Sequence, residues 1–99
     1  MRINYDRIHR AQELMKEQGM IGLMIMNHDD YLYFFGDVRV QPRAIIPAAG
    51  EPIFVCFRGE EPELRAALGR EDIKVFSHVG EQISDVHKTF HALYKNGPP

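Results

Sequence analysis

Two groups of side chains in this 99-residue chain carry residue types suited to acid–base or metal chemistry. His28-Asp29-Asp30 sets a base beside two carboxylates directly after the apolar run Met20 to Met26, at the strand-end rim where open α/β sheets hold ligands. A turn followed by a helix cap needs the same residues, because short polar side chains accept hydrogen bonds from nearby backbone N–H groups, and that is the plainer reading. His87 and His91 stand four apart on a predicted helix, a spacing that turns both rings toward one metal. Lys88 occupies the place where the zinc-protease pattern carries its Glu base, and closing a site requires a third ligand from elsewhere. A solvated helix face is the plainer reading of this pair.

A third group suits binding. Gly36-Asp37-Val38-Arg39-Val40-Gln41-Pro42-Arg43 sets the guanidinium groups of Arg39 and Arg43 beside the aromatic cluster Tyr31 to Phe35. Arg grips a carboxylate through two parallel hydrogen bonds and stacks its plane on aromatic faces. Two readings stand: a surface loop with solvated arginines, or recognition of an anionic group presented by another domain or subunit. Nucleophilic apparatus is missing from the pattern. Cys56 lies in the apolar run Ile53 to Phe57 with no His or cation beside it in sequence, which suits a buried, inert thiol. Ser77 and Ser84 lack the Gly-flanked elbow of a nucleophilic Ser, and the glycines never cluster as phosphate binding requires. Met15, Met20, Met24 and Met26 read as gap-filling core residues.

The elements that position these groups follow from periodicity. From Asn4, a helix carries Ile8, Ala11, Leu14 and Met15 on one face and stops at Gly19. Met20 to Met26 is apolar throughout, which predicts a central strand covered on both faces. A short helix over Asp30 to Phe35, capped by Asp29 or Asp30, ends before Gly36; a strand is the second choice there. Ala49-Gly50-Glu51-Pro52 joins two apolar runs as a hairpin, pairing Ala44 to Ala48 with Ile53 to Phe57. Glu61-Pro62-Glu63 opens a helix that turns Leu64, Ala67 and Leu68 inward and ends at Gly69. Ile73 to Phe76 is a fourth strand. A last helix starts at Ser84 or Asp85 and ends at Asn96-Gly97-Pro98, where a further strand is expected, so the chain reads as the front of a larger protein.

Composition bounds the function. With 44% hydrophobic and 26% charged residues, one α/β domain is expected, burying roughly 60–70% of its unfolded surface. A net charge of -2 gives no electrostatic footprint for nucleic acid or an anionic membrane. The longest apolar run is too short to span a bilayer, and the polar start Met1-Arg2-Ile3-Asn4-Tyr5-Asp6 lacks the apolar stretch of a signal peptide, so a cytoplasmic location is expected. One Cys allows neither an internal disulfide nor a four-sulfur metal site.

The order Tyr5-Asp6-Arg7-Ile8 to Glu17-Gln18-Gly19-Met20, then Leu23-Met24-Ile25, Tyr33-Phe34-Phe35-Gly36, Ala44-Ile45-Ile46-Pro47 and Gly50-Glu51-Pro52-Ile53-Phe54-Val55 resembles the amino-terminal domain of the creatinase/prolidase/aminopeptidase P family. The resemblance covers nearly the whole chain. Ile21, where the family commonly has an acidic residue, and Phe35 and Asp37 around Gly36 depart from its pattern. It implies a mixed β-sheet of ribonuclease-H-like topology flanked by helices, with residues 1–99 as that domain and the carboxyl-terminal pita-bread catalytic domain absent. Nuclease chemistry is not implied, because Met20 to Met26 offers no carboxylate to hold a divalent metal.

In such enzymes the catalytic domain holds two divalent ions, such as Mn, Co or Zn, and cleaves the bond before proline or hydrolyses creatine. The resemblance therefore assigns no cofactor and no catalytic residue to this domain. It implies a homodimer in which the domain shapes substrate access and contacts the partner subunit, with Arg43, and after it Arg39, reaching substrate at the partner's site. The chain alone is expected to be inactive. Two rivals remain: a free-standing small-molecule or protein-binding module of the same fold, and a small enzyme built around His28, Asp29 and Asp30.

Overall fold

The computed structural model describes residues 1–79, which form a small α/β domain with a mixed four-stranded sheet and three helices. The predicted last helix, with His87 and His91, lies outside the described residues.

Helix α1 spans Tyr5–Glu17, and the Asn4 side chain accepts the Arg7 backbone N–H to begin it. It ends in a Schellman turn: Met20 N–H donates to the Met15 carbonyl and Gly19 N–H to the Lys16 carbonyl, with Gly19 at φ +69°. The inward face differs from the expected one. Ile8, Gln12 and Met15 are buried, whereas Leu14 is 59% exposed, because an i, i+4, i+7 stripe through Ile8 turns Leu14 away from the sheet.

The intrusion of Gln12 into an apolar stripe has a specific cause. Its amide nitrogen donates to the carbonyls of Pro47 and Gly50, each at 2.9 Å, tying α1 to the hairpin turn. Gln12→Ala removes both donors and is expected to cost about 1–3 kcal/mol, lowering the midpoint of thermal unfolding by roughly 5–15 °C. An unchanged midpoint would show that water serves those carbonyls equally well.

Strands β1 (Gly22–Ile25), β2 (Ala44–Pro47), β3 (Ile53–Phe57) and β4 (Val75–His78) lie in the order β1-β2-β3-β4. The β1–β2 and β2–β3 pairs are antiparallel, and the helix α3 (Glu61–Leu68), preceded by a single 3₁₀ turn at Arg58–Glu60, carries the chain to β4 in parallel with β3. The predicted hairpin forms with Ala44 opposite Phe54 and Ile45 opposite Ile53. Three expectations need correction. Among the described residues β1 is an edge strand; its unbroken apolarity arises because Leu23 and Ile25 pack toward the main core while Met24 packs on the opposite face. The fourth strand begins two residues later than expected, at Val75, and Lys74 at its entrance accepts the Phe54 N–H. Helix α2 (His28–Phe35) starts earlier than expected, with Asn27 rather than Asp29 or Asp30 as its cap.

The main core lies on the helix-covered side of the sheet, where Ile8, Tyr31, Phe35, Ile46, Phe54, Leu64 and Ile73 are buried together. A smaller cluster of Ile45, Ile53 and Val55, flanked by Met24 and Phe76, occupies the other side. Gly36 caps α2 in the left-handed region at φ +59°, its N–H donating to the Leu32 carbonyl at 2.9 Å. A Cβ there would sit 3.3 Å from the Arg2 carbonyl, because the amino-terminal segment is clipped to α2 by hydrogen bonds from Arg2 N to Phe35 O and from Asn4 N to Phe34 O.

Candidate functional site

The segment from Asp37 to Arg43 leaves the Gly36 cap and feeds β2, so both arginines of interest sit between α2, α3 and the sheet. Arg39 is turned inward, its side chain only 8% exposed. Its Nε lies 3.1 Å from Asp37 Oδ2, while Nη1 and Nη2 reach the two carboxylate oxygens of Glu63 on α3 at 2.6 and 3.3 Å. The two-pronged grip expected of this residue is therefore made, but on carboxylates of its own chain. Burial disfavours the Arg39 charge, but the hydrogen bond that Arg39 donates to Glu63, together with Tyr31 and Asp37, outweighs it and leaves the pKa above its ordinary value. Beneath this pair, burial pushes the Tyr31 hydroxyl up despite the nearby Arg39.

Arg39→Ala leaves Asp37 without its partner in a largely enclosed position, with an expected cost of about 1–3 kcal/mol and a thermal midpoint roughly 5–15 °C lower. A denaturant titration with an unaltered midpoint would dismiss this strut role. The Glu63 carboxyl is held below its usual range by the Arg39 hydrogen bond, so its contribution is present above the ordinary carboxylate pKa and is lost as pH falls through the lowered folded value.

Arg43 is arranged differently. Its Nη1 lies 2.8 Å from His78 Nε2, its Nη2 donates to Gln41 Oε1, and its Cζ stands 5.2 Å from the centroid of the Phe57 ring. These three partners are a ring nitrogen, an amide oxygen and an aromatic face, and among the described residues no carboxylate pairs with the guanidinium. Arg43 is half-buried, oriented from three sides, and its charge is not neutralised by these contacts. A preoriented guanidinium retaining unspent N–H donors is suited to a carboxylate or a similar planar anion.

Two of these supporting residues are not singled out by the sequence, for different reasons. Ending the fourth strand at Phe76 left His78 outside the sheet, whereas the observed parallel register sets it opposite Phe57, with the two rings 5.0 Å apart. Gln41 carried a weak signal, being two residues before Arg43 in an extended loop where alternate side chains share a side.

The remaining candidates separate from this site. Asn27 Oδ1 accepts the Asp30 N–H at 2.8 Å and Asn27 Nδ2 donates to Asp30 Oδ2 at 2.7 Å, while His28, Asp29 and Asp30 are all exposed on the first turn of α2. This is the capping arrangement, and among the described residues no further acid–base group is shown in contact with His28. Cys56 is buried, and burial, assisted by Glu60 and Glu61, pushes its thiol up to about 11, so the thiolate that attacks electrophiles is scarce at neutral pH. Arg7 donates to the Tyr33 carbonyl at 2.8 Å and lies 4.3 Å over its ring, in an open cleft with Arg2 and Asn4. Among the described residues no group of three or more His, Cys, Asp or Glu side chains is placed to hold a metal ion, and no helix is long and apolar enough to cross a membrane.

A scan against protein-family models gives no match to this chain, and a search of curated proteins gives none either.

Proposed function

We infer that this domain is the non-catalytic amino-terminal part of a metal-dependent Xaa-Pro dipeptidase, aminopeptidase or creatinase-like hydrolase, where it shapes substrate access and contributes to dimer contacts. The observation that carries this reading is Arg43: a guanidinium in contact with His78, Gln41 and the Phe57 ring and lacking a carboxylate partner of its own among the described residues. A peptide or creatine substrate carries a carboxylate that such a group would hold. Arg39 stands further from this role, because its guanidinium is already paired with the carboxylates of Asp37 and Glu63. The two divalent ions belong in this reading to the catalytic domain; the described residues provide no ligand set for them, and no step of the proposal runs through a metal held here.

The antiparallel β1–β2–β3 meander supports a ribonuclease-H-like sheet, while β4 lies on its β3 side. Because β4 lies beside β3, completion of that topology needs a further parallel strand beside β1, which is part of the proposal. The test is the native product: an antibody raised against residues 1–79 is used to isolate it from extracts of the source cells, and its mass and Mn²⁺-supported hydrolysis of an Xaa-Pro dipeptide or creatine are measured. A product several-fold heavier than 11.4 kDa with such activity is expected. A product near 11.4 kDa would overturn the enzyme reading and favour a binding module that reuses this fold.

A further inference from the structure

We propose that the open cleft between the start of α1 and the end of α2 is a binding site for a monocarboxylate with an apolar body, in which Arg2 and Arg7 hold the carboxylate while Leu32 and Tyr33 carry the body. Its lining shares no residue with the contacts of Arg43, so it stands apart from the preceding proposal.

The cleft arises from the way the amino-terminal segment closes off α2. The carbonyls of Tyr33, Phe34 and Phe35 lie in the last turn of that helix, where intrahelical N–H donors run out. Arg7 Nη1 donates to the first, Asn4 N–H to the second and Arg2 N–H to the third, each at 2.8 Å. These bonds hold the Arg2 backbone and the Arg7 guanidinium against one helix end. Gly36 admits the close approach, since a Cβ there would stand 3.3 Å from the Arg2 carbonyl oxygen. The space left has a volume of about 550 Å³, within the roughly 300–1,000 Å³ range of small-molecule sites.

The lining selects the ligand. Capping α2 gives Arg7 a structural duty, a cation at the negative end of a helix, but that duty uses one N–H of a group with five donors. Among the described residues no carboxylate lies within ion-pair distance of Arg7 or of the exposed Arg2. The Arg7 Cζ stands 4.3 Å from the centroid of the Tyr33 ring, so the plane of its fork is held in place, as two-pronged recognition of a carboxylate requires. Asp6 also lines the cleft and pairs with neither arginine. Two cations against one anion suit a singly charged ligand, and Asp6 repels a phosphate dianion more strongly than a carboxylate. Leu32 and Tyr33, 51% and 46% exposed, offer the surface on which an apolar body escapes water. Both a free hydrophobic acid and the carboxyl end of an apolar peptide have this chemistry.

The test is a titration of the ¹⁵N-labelled 99-residue chain, followed through backbone amide and arginine Nε–H signals. The probes are 3-phenylpropionate for a free acid, N-acetylphenylalanine for a peptide terminus, N-acetylphenylalanine amide and inorganic phosphate. Saturable shifts centred on Arg2, Arg7 and Gly36 are expected with the two carboxylates and with neither of the other probes; the tighter of the two acids identifies the source. Arg2→Gln, at an exposed side chain, is expected to weaken binding about tenfold, the loss of one charge-assisted hydrogen bond. Asp6→Asn is expected to tighten it and to admit phosphate, a gain that disruption of the fold would not produce. Absence of saturable shifts with either acid, equal binding of the amide or of phosphate by the parent chain, or affinities indifferent to Arg2→Gln and Asp6→Asn would overturn the proposal. The readout needs no hydrolase activity, so its failure and that of the enzyme reading are separate results.

Discussion

Phe54→Ala is expected to lower the stability of this domain by about 3–5 kcal/mol and its thermal midpoint on the order of 15–30 °C. Phe54 is fully buried on β3, with its ring 4.7 Å from Phe35 and 6.1 Å from Tyr31, both on α2. Tyr31 and Phe35 also meet edge to face at 5.0 Å, so the three rings form one closed set joining sheet to helix. Removing Phe54 forfeits its transfer free energy and opens a cavity between two elements that the Gly36 cap and the amino-terminal clip restrain from collapsing inward. Domains of this size hold only about 5–15 kcal/mol in total, so the loss is a large fraction of what keeps the chain folded. Phe54→Leu, which retains most of the buried volume, should cost markedly less, and urea titration of both variants measures the difference. Equal midpoints for Phe54→Ala and the parent would show that the ring cluster contributes little.

That cluster also shows which parts of the fold were readable from sequence. Elements set by local signals were found nearly in register: the Gly19, Gly36 and Gly69 stops, the hairpin around Gly50, and α3 opening at Glu61-Pro62 all depend on residues within one turn of each other. Errors arose where tertiary partners decide. Gln12 is polar by type but inward because two hairpin carbonyls need donors, and Leu14 is apolar but outward because the stripe drifts past it. The apolar run containing β1 predicts a central strand; among the described residues it lies at the sheet edge, where partial cover on both faces produces the same run.

The arginine loop was legible as a binding candidate, but the division of labour within it was not. Arg39 and Arg43 are four apart in one loop and chemically identical, and only the fold shows that Glu63, 24 residues on, occupies one, while His78, 35 residues on, supports the other. A further network was unreadable for the same reason. Tyr5 donates to Glu51 at 2.6 Å and accepts from Arg70, which also pairs with Asp72 at 2.6 Å, joining α1, the hairpin turn and the entrance to β4 across long stretches of chain. Its members are largely solvent-facing, so it marks the register of these loops more than it stabilises them.

If the domain serves a metal-dependent hydrolase, as proposed, and Arg43 meets the substrate carboxylate, Arg43→Ala in that enzyme is expected to lower kcat/KM by about 10–100-fold, chiefly through a raised KM, with metal content unchanged. The magnitude follows from losing one charge-assisted, partly desolvated contact; the split follows from geometry. A group that grips a remote carboxylate binds ground state and transition state alike, so its loss raises KM and leaves kcat nearly constant. Lysine at position 43 keeps the charge but not the planar fork, and its loss of the edge fixed by His78 and the Phe57 stack should leave it closer to Ala than to Arg. Arg39→Ala supplies the contrast: its charge is already paired with Asp37 and Glu63, so its expected signature is a lower unfolding midpoint with KM little changed at temperatures where the enzyme remains folded. A KM unaltered by Arg43→Ala would dismiss Arg43 as a substrate ligand. A fall in kcat accompanied by loss of metal would instead mean that the residue supports the catalytic domain's structure, because a cation at the substrate entrance has no direct means of emptying a metal site.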